Sequence, residues 1–162
     1  MPRRPAYFLA PLLFAAAGCS HRPPLDSTVA QPAIQAAYDA QNAAYKAKDV
    51  NGAVVVLTPD YVDSNKGQDL SRDAYETLLG ELFHAAKSLD VSTKISDVEC
   101  TPNNCTVTAE RDFKAVLPPD AKAKPGTADR TVASTEELAD TWVNSGGKWL
   151  KQASVVNSTA SS

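Results

Sequence analysis

The sequence predicts an α+β fold, with helices gathered early and antiparallel strands late. Two observations carry this expectation. Apolar residues recur at helical spacing in two stretches before residue 87. Beyond residue 90 the pattern changes to period-two alternation, punctuated by turn-forming clusters. The 162 residues are 43% hydrophobic and 22% charged, which suits one domain with a core of ordinary size and excludes a disordered chain or a multi-span membrane protein. One curved sheet covered by the helices is the expected layer plan.

The first helix is expected over residues 32–49. Ile34, Ala37, Tyr38, Gln41, Ala44 and Tyr45 share one face, and Pro32 suits a first turn. Residues 53–57 form a short apolar run that periodicity leaves open between helix and strand. Residues 60–64 alternate, with Tyr61 and Asp63 on one side and Val62 on the other, before a turn at Asn65-Lys66-Gly67. Ser71 is a good N-cap, with Leu70 and Tyr75 at hydrophobic-staple positions. Tyr75, Leu78, Leu79, Leu82, Phe83 and Ala86 then mark a second helical face. His84 falls opposite that face and is expected in solvent.

Two long hairpins follow. Residues 91–100 and 105–117 form the first, with Val107, Ala109, Arg111, Phe113 and Ala115 on one face and Thr106, Thr108, Glu110, Asp112 and Lys114 on the other. Residues 118–129 read as a mobile Lys/Ala/Pro/Gly loop. Residues 130–143 and 148–156 form the second hairpin around Asn144-Ser145-Gly146-Gly147. Residues 157–162 read as a polar tail.

The first fifth of the chain is built differently. Six of the 11 prolines precede residue 33. Arg3 and Arg4 open it, residues 7–17 are apolar, and Ala16-Ala17-Gly18-Cys19 closes it. The apolar run is too short to cross ~30 Å of hydrocarbon comfortably and reads as a secretory signal. Its end resembles the lipobox of bacterial lipoproteins, with Ala16 where Leu is commonest. The resemblance implies that residues 1–18 are a signal peptide and that Cys19 carries diacylglycerol and further acyl chains such as palmitate as the first mature residue. Residues 19–32 would then be a Pro-rich leash and residues 33–156 the folded domain. Ser20 after Cys19 implies the periplasmic face of the outer membrane in a diderm organism. Processing would remove two of the 16 basic residues and no acid, leaving 14 against 19.

With Cys19 acylated, Cys100 and Cys105 remain, on either side of a Thr-Pro-Asn-Asn turn. Thiols facing across a hairpin mouth can reach disulfide geometry, and export favours oxidation, so a disulfide is expected. The spacing is not that of a Cys-x-x-Cys redox pair. With 3 Cys and 2 His, one of them His21 in the leash, no metal site or His-based triad is expected. The net charge of −3 argues against nucleic acid, and without a glycine-rich phosphate loop no nucleotide or other cofactor is expected.

The element order resembles the NTF2-like superfamily, in particular its SnoaL-like and DUF4440-like members. The residues that carry the resemblance are Lys46-Ala47-Lys48-Asp49, Leu57-Thr58-Pro59-Asp60-Tyr61-Val62-Asp63, Leu70-Ser71-Arg72-Asp73, Asp140-Thr141-Trp142-Val143 and Gly147-Lys148-Trp149-Leu150. The resemblance implies a cone, in which a bent sheet wraps the helices and leaves a pocket at the wide end, and frequent homodimers. Members include isomerases, dehydratases and cyclases as well as proteins without known activity, so fold alone does not settle function.

An isomerase-type site needs a carboxylate base and donors for an enolate oxygen. Tyr45, Asp63 and Asp112 are the candidate catalytic residues, and Tyr38, Tyr45, Arg111 and Trp142 the candidate ligand contacts. In the ketosteroid isomerase branch the base stands three residues before a glycine. Here that position is Ser64, and Asp63 is one earlier, on the opposite face of a strand, which predicts that Asp63 points away from the pocket. Arg111 has three readings: snorkelling, pairing with a sheet acid, or meeting an anionic ligand. Glu136 and Glu137 read as solvated charges, and Tyr75 and Phe83 as core. The leading expectation is a lipid-anchored, non-catalytic module that binds a small apolar ligand or a protein partner. The alternative is an isomerase, dehydratase or cyclase with Asp63 or Asp112 pointing inward near a Tyr.

Overall fold

A computed structural model describes residues 25–119, 122, 124 and 126–161. The signal, Cys19 and the start of the leash lie outside the described residues, as do residues 120, 121, 123 and 125 of the expected mobile loop. Helix α1 (Ser27–Ala47) leads to a short helix α2 (Val50–Val54). Strands β1 (Leu57–Asn65) and β2 (Gln68–Ser71) form a small hairpin, and α3 (Arg72–Ala85) follows. Strands β3 (Ser88–Cys100), β4 (Asn104–Leu117), β5 (Arg130–Ser145) and β6 (Lys148–Ser161) complete the chain.

The six strands form one sheet in the order β2-β1-β6-β5-β4-β3. All neighbours are antiparallel except β1 and β6, so the expected antiparallel sheet is mixed. The two tight hairpins are built where two successive residues take positive φ: Lys66 and Gly67 at 51° and 78°, Gly146 and Gly147 at 62° and 86°. That geometry matches the right-handed twist of the flanking strands. Register shifts add one residue to β3 between Ile95 and Asp97, and one residue each to β6 opposite Glu137/Leu138 and Thr141/Trp142 of β5. Such bulges bend a sheet, and the bend here wraps it around α1.

Several boundaries differ from expectation. Helix α1 begins at Ser27 because Asp26 caps it, accepting from the Thr28 amide and hydroxyl at 2.9 and 2.7 Å. Pro32 lies inside the helix, forfeiting one backbone bond, so residues 27–32 are helix rather than leash. Strand β3 starts at Ser88, three residues early. Strand β6 runs on to Ser161, because residues 158–161 pair with residues 134–137 of β5, so most of the expected polar tail belongs to the sheet.

The core divides into two clusters. One, at the hairpin end, joins Ala30, Ile34 and Tyr38 to Ile95, Cys105, Val107 and Trp142. The other joins Tyr45, α2 and α3 to Leu57, Tyr61, Leu89 and Val91. A disulfide links Cys100 and Cys105 across the β3–β4 turn. The Leu25 amide donates to the Thr101 carbonyl (3.1 Å), which docks the start of the domain on that turn. Gln35 ties α1 to the open edge of β3: its amide donates to the Thr93 carbonyl (2.9 Å) and its carbonyl accepts from the Ile95 amide (3.2 Å). The side chain thus stands in for a neighbouring strand and covers part of an edge that could otherwise pair with another chain.

Candidate functional site

A cleft of about 210 Å³ opens between α3 and the concave face of the sheet. Its walls are mostly apolar: Leu78, Leu79 and Leu82 from α3, Leu70 from β2, Val91 from β3 and Phe113 from β4. Leu78, half exposed on the otherwise inward face of its helix, stands at the mouth. The polar groups come from five elements: Tyr45 on α1, Asp63 and Asn65 on β1, Tyr75 on α3, Arg111 on β4 and Glu136 on β5.

Strand parity places Asp63. Val62 is exposed, while Tyr61 and Asp63 are 2% and 6% exposed and face the interior. The expectation that Asp63 points away is therefore overturned. Ser64, at the position matching the isomerase base, faces the opposite way and donates to Asp69 at 2.6 Å. The spacing comparison misled because the alternation of β1 sets the face, and Asp63 shares that of Tyr61. Asp63 accepts one side-chain hydrogen bond, from the Tyr61 hydroxyl at 3.0 Å. Burial raises its pKa, against the opposing pull of Tyr61, Arg111 and Lys151.

Tyr45 and Tyr75 meet hydroxyl to hydroxyl. Burial raises the pKa of both, so both stay protonated at neutral pH. Two phenols hold two protons and need only one for the bond between them, which leaves one O–H to donate elsewhere. Arg111 gives its Nε and Nη2 hydrogens to one oxygen of Glu136, at 2.9 and 2.5 Å. Burial opposes the guanidinium charge, but the Tyr75 and Tyr45 oxygens and Glu136 outweigh it, and the pKa is raised. Of its three readings, Arg111 pairs with a sheet acid. Asn65 Oδ1 is buried without a hydrogen-bond partner.

Of the expected site residues, the structure brings together Tyr45, Asp63 and Arg111. It excludes the other three from the cleft. Asp112 is exposed on the convex face and accepts from Thr135 at 2.7 Å, because it has the opposite parity to Arg111. Tyr38 and Trp142 are 1% and 0% exposed in a closed cluster, with Tyr38 about two helical turns from Tyr45 on α1. There the Tyr38 hydroxyl donates to Asp140 at 2.5 Å and the Trp142 indole donates to Tyr38 at 3.2 Å. Ser154 and Lys151 also reach Asp140, at 2.6 and 2.7 Å. The Lys151 ammonium lies 4.6 Å from the Tyr38 ring centroid, and burial lowers its pKa against the pull of Asp140.

Sequence reasoning missed Tyr75, Glu136, Asn65 and Lys151. Parity held a signal for two of them: Glu136 alternates with Leu138, Asp140 and Trp142, and Asn65 with Tyr61 and Asp63. His84 is exposed, as expected. Among the described residues, no group of three or more His, Cys, Asp or Glu is placed to hold a metal.

Solved structures with this architecture are numerous. A candidate scytalone dehydratase from Novosphingobium aromaticivorans matches with a TM-score of 0.68 at 14% identity, over 83% of this chain and 89% of that one. A candidate dehydratase of the NTF2-like family from Streptomyces avermitilis matches with a TM-score of 0.65 at 12% identity, over 81% and 97%. The hexachlorocyclohexane dehydrochlorinase LinA type 2 matches with a TM-score of 0.65 at 9% identity, over 83% and 90%. No protein-family model matches the chain, and no curated protein matches it. At these identities the likeness concerns the fold, which is the NTF2-like α+β cone.

Proposed function

We propose that this chain is a lipid-anchored cell-envelope protein whose NTF2-like domain binds a small, largely apolar molecule in the cleft beneath α3. The observation that carries the binding role is the mismatch within the cleft: apolar walls surround polar groups whose hydrogen bonds the fold leaves incomplete. Ligand sites usually combine such walls with a few placed polar groups. The volume is below the ~300–1,000 Å³ of sites for drug-sized ligands, so the ligand is of one or two rings. Binding is tested by ligand-observed NMR with small ring compounds. Uptake by the wild type and its loss in Leu82→Trp, which fills the cleft, is the expected result. Uptake that Leu82→Trp leaves intact contradicts it.

The anchor is a separate proposal, supported by the residues around Cys19. No helix among the described residues is long and apolar enough to cross a membrane. Mass spectrometry of the mature N-terminus decides it: acylated Cys19 is expected, and an unmodified Cys19 overturns it. Homodimerisation, proposed from the resemblance, is tested by sedimentation, where a monomer counts against it.

A catalytic reading rests on the inward position of Asp63. A carboxylate base in an apolar cleft, with a spare phenol proton opposite, suits proton abstraction next to a carbonyl, with Tyr45 or Tyr75 donating to the enolate oxygen. The fold neighbours described as dehydratases favour loss of a leaving group after that step. Turnover of a β-hydroxy ketone that falls by ~10²-fold or more in Asp63→Asn supports this reading. Equal turnover in that variant removes it.

A further inference from the structure

The interior ion pairs between acids and cations leave one buried acid over, and it lies in the cleft. Among the described residues, Asp63, Glu136 and Asp140 are acids turned to the interior, and Arg111 and Lys151 are the cations that meet them. Both cations are committed. Arg111 pairs with Glu136 at 2.5 Å and Lys151 with Asp140 at 2.7 Å. Asp63, 6% exposed, is left with a neutral phenol as its only side-chain partner. Two residues along the same strand, on the same face, Asn65 Oδ1 is a second acceptor without a donor. The opposing walls are aromatic: Tyr45, Tyr75 and Phe113 line the same space.

We propose that the cleft takes a small organic cation, an ammonium group on a single aromatic or alicyclic body. The inference rests on the reading of the cleft as a ligand site and specifies its ligand. The ammonium would donate to the free oxygen of Asp63 and to Asn65 Oδ1, and the body would lie between Phe113 and the leucines of α3. Three features favour a cation over other guests. An ammonium brings three donors to acceptors that lack them, where a hydroxyl brings one. It gives an ion-pair partner to the one buried acid that has none among the described residues, which a neutral guest leaves unpaired. An anion would meet an Arg111 already neutralised by Glu136 and the like charge of Asp63. The aromatic faces add attraction for a cation and none for an anion.

The test uses three probes with one ring: 2-phenylethylamine, 2-phenylethanol and phenylacetate. Their affinities are compared by calorimetry or ligand-observed NMR for the wild type, Asp63→Asn and Leu82→Trp, each checked for folding by circular dichroism. The amine is expected to bind the wild type roughly 10- to 100-fold more tightly than the alcohol, the span of a charge-assisted hydrogen bond. In Asp63→Asn the amine should fall to the affinity of the alcohol, and in Leu82→Trp all binding should be lost. Alcohol or phenylacetate binding as tightly as the amine, with loss in Leu82→Trp, overturns the cationic ligand and keeps the ligand site. An amine preference that survives Asp63→Asn overturns the assignment to Asp63. Absence of binding by all three probes, or binding that Leu82→Trp leaves intact, overturns both readings.

Discussion

The two ends of the cone hold the same kinds of side chain and use them differently. At the hairpin end Asp140 accepts from Tyr38, Ser154 and Lys151, at 2.5 to 2.7 Å, and is fully buried. At the wide end Asp63 accepts one side-chain bond, from Tyr61 at 3.0 Å. The first is a closed account of donors and acceptors, sealed by Trp142 and Ile34. The second faces a cleft. Residue type does not separate a structural polar cluster from a ligand-ready one; saturation does. Tyr38 and Trp142 have the chemistry of ligand contacts, but every polar atom among them has a partner within the fold.

That contrast can be broken at either end. The largest effect belongs to Asp140. Asp140→Leu leaves the Lys151 ammonium buried without its partner and should cost about 3–5 kcal/mol in urea unfolding. The pair Asp140→Leu with Lys151→Met should recover most of the loss. A single change costing under ~1 kcal/mol would mean that the cluster is not the closed unit described. Next comes the disulfide. Replacing Cys100 and Cys105 by Ser should cost about 2 kcal/mol in the chain-entropy treatment of a short loop and leave ligand uptake at the wide end unchanged. A lost uptake would show that the two ends are coupled.

The smaller effects lie at the wide end. The Asp63 carboxyl has a raised pKa in the fold, so its contribution to stability is present at pH below its unfolded value and is lost as pH rises through the folded one. Asn imitates the protonated form. Asp63→Asn should therefore be more thermostable than the wild type at pH 7–8, with the difference shrinking to nothing below about pH 3.9. The groups that act on Asp63 are Tyr61 through its hydrogen bond and Arg111, Lys151 and Asp140 through their charge. A variant less stable than the wild type at pH 8 would contradict the uncompensated acid. Smallest of all, Leu78→Asn at the exposed mouth should move stability by no more than about 0.5 kcal/mol, while weakening uptake of apolar probes.

The helices and the two long hairpins were legible because their signals are local. The Ser71 cap, the staple of Leu70 and Tyr75, the alternation of residues 106–115 and the turn residues act over a few positions. The parallel pairing of β1 with β6 was not legible, since it joins residues 57–65 to 151–156 and leaves no local mark. The site was half legible. Arg111 and Tyr45 could be placed by period alone. Glu136 could have been, but two adjacent glutamates look solvated unless the strand's parity is carried through to Trp142. Lys151 could not, because the shift at Thr141/Trp142 resets the register beside it. Asp63 was misread when an analogy of spacing was set above the strand's own alternation, in which Tyr61 and Asp63 already faced one way.

The central claim is that Asp63 is a buried acid awaiting a ligand's donor, and the most direct test is its own titration. The carboxyl carbon of Asp63, assigned through Asp63→Asn, can be followed by NMR against pH, free and saturated with 2-phenylethylamine. The expected result is a titration above the ordinary aspartate range in the free protein, moving downward when the amine is bound. An ordinary aspartate titration that the amine leaves unchanged would contradict it.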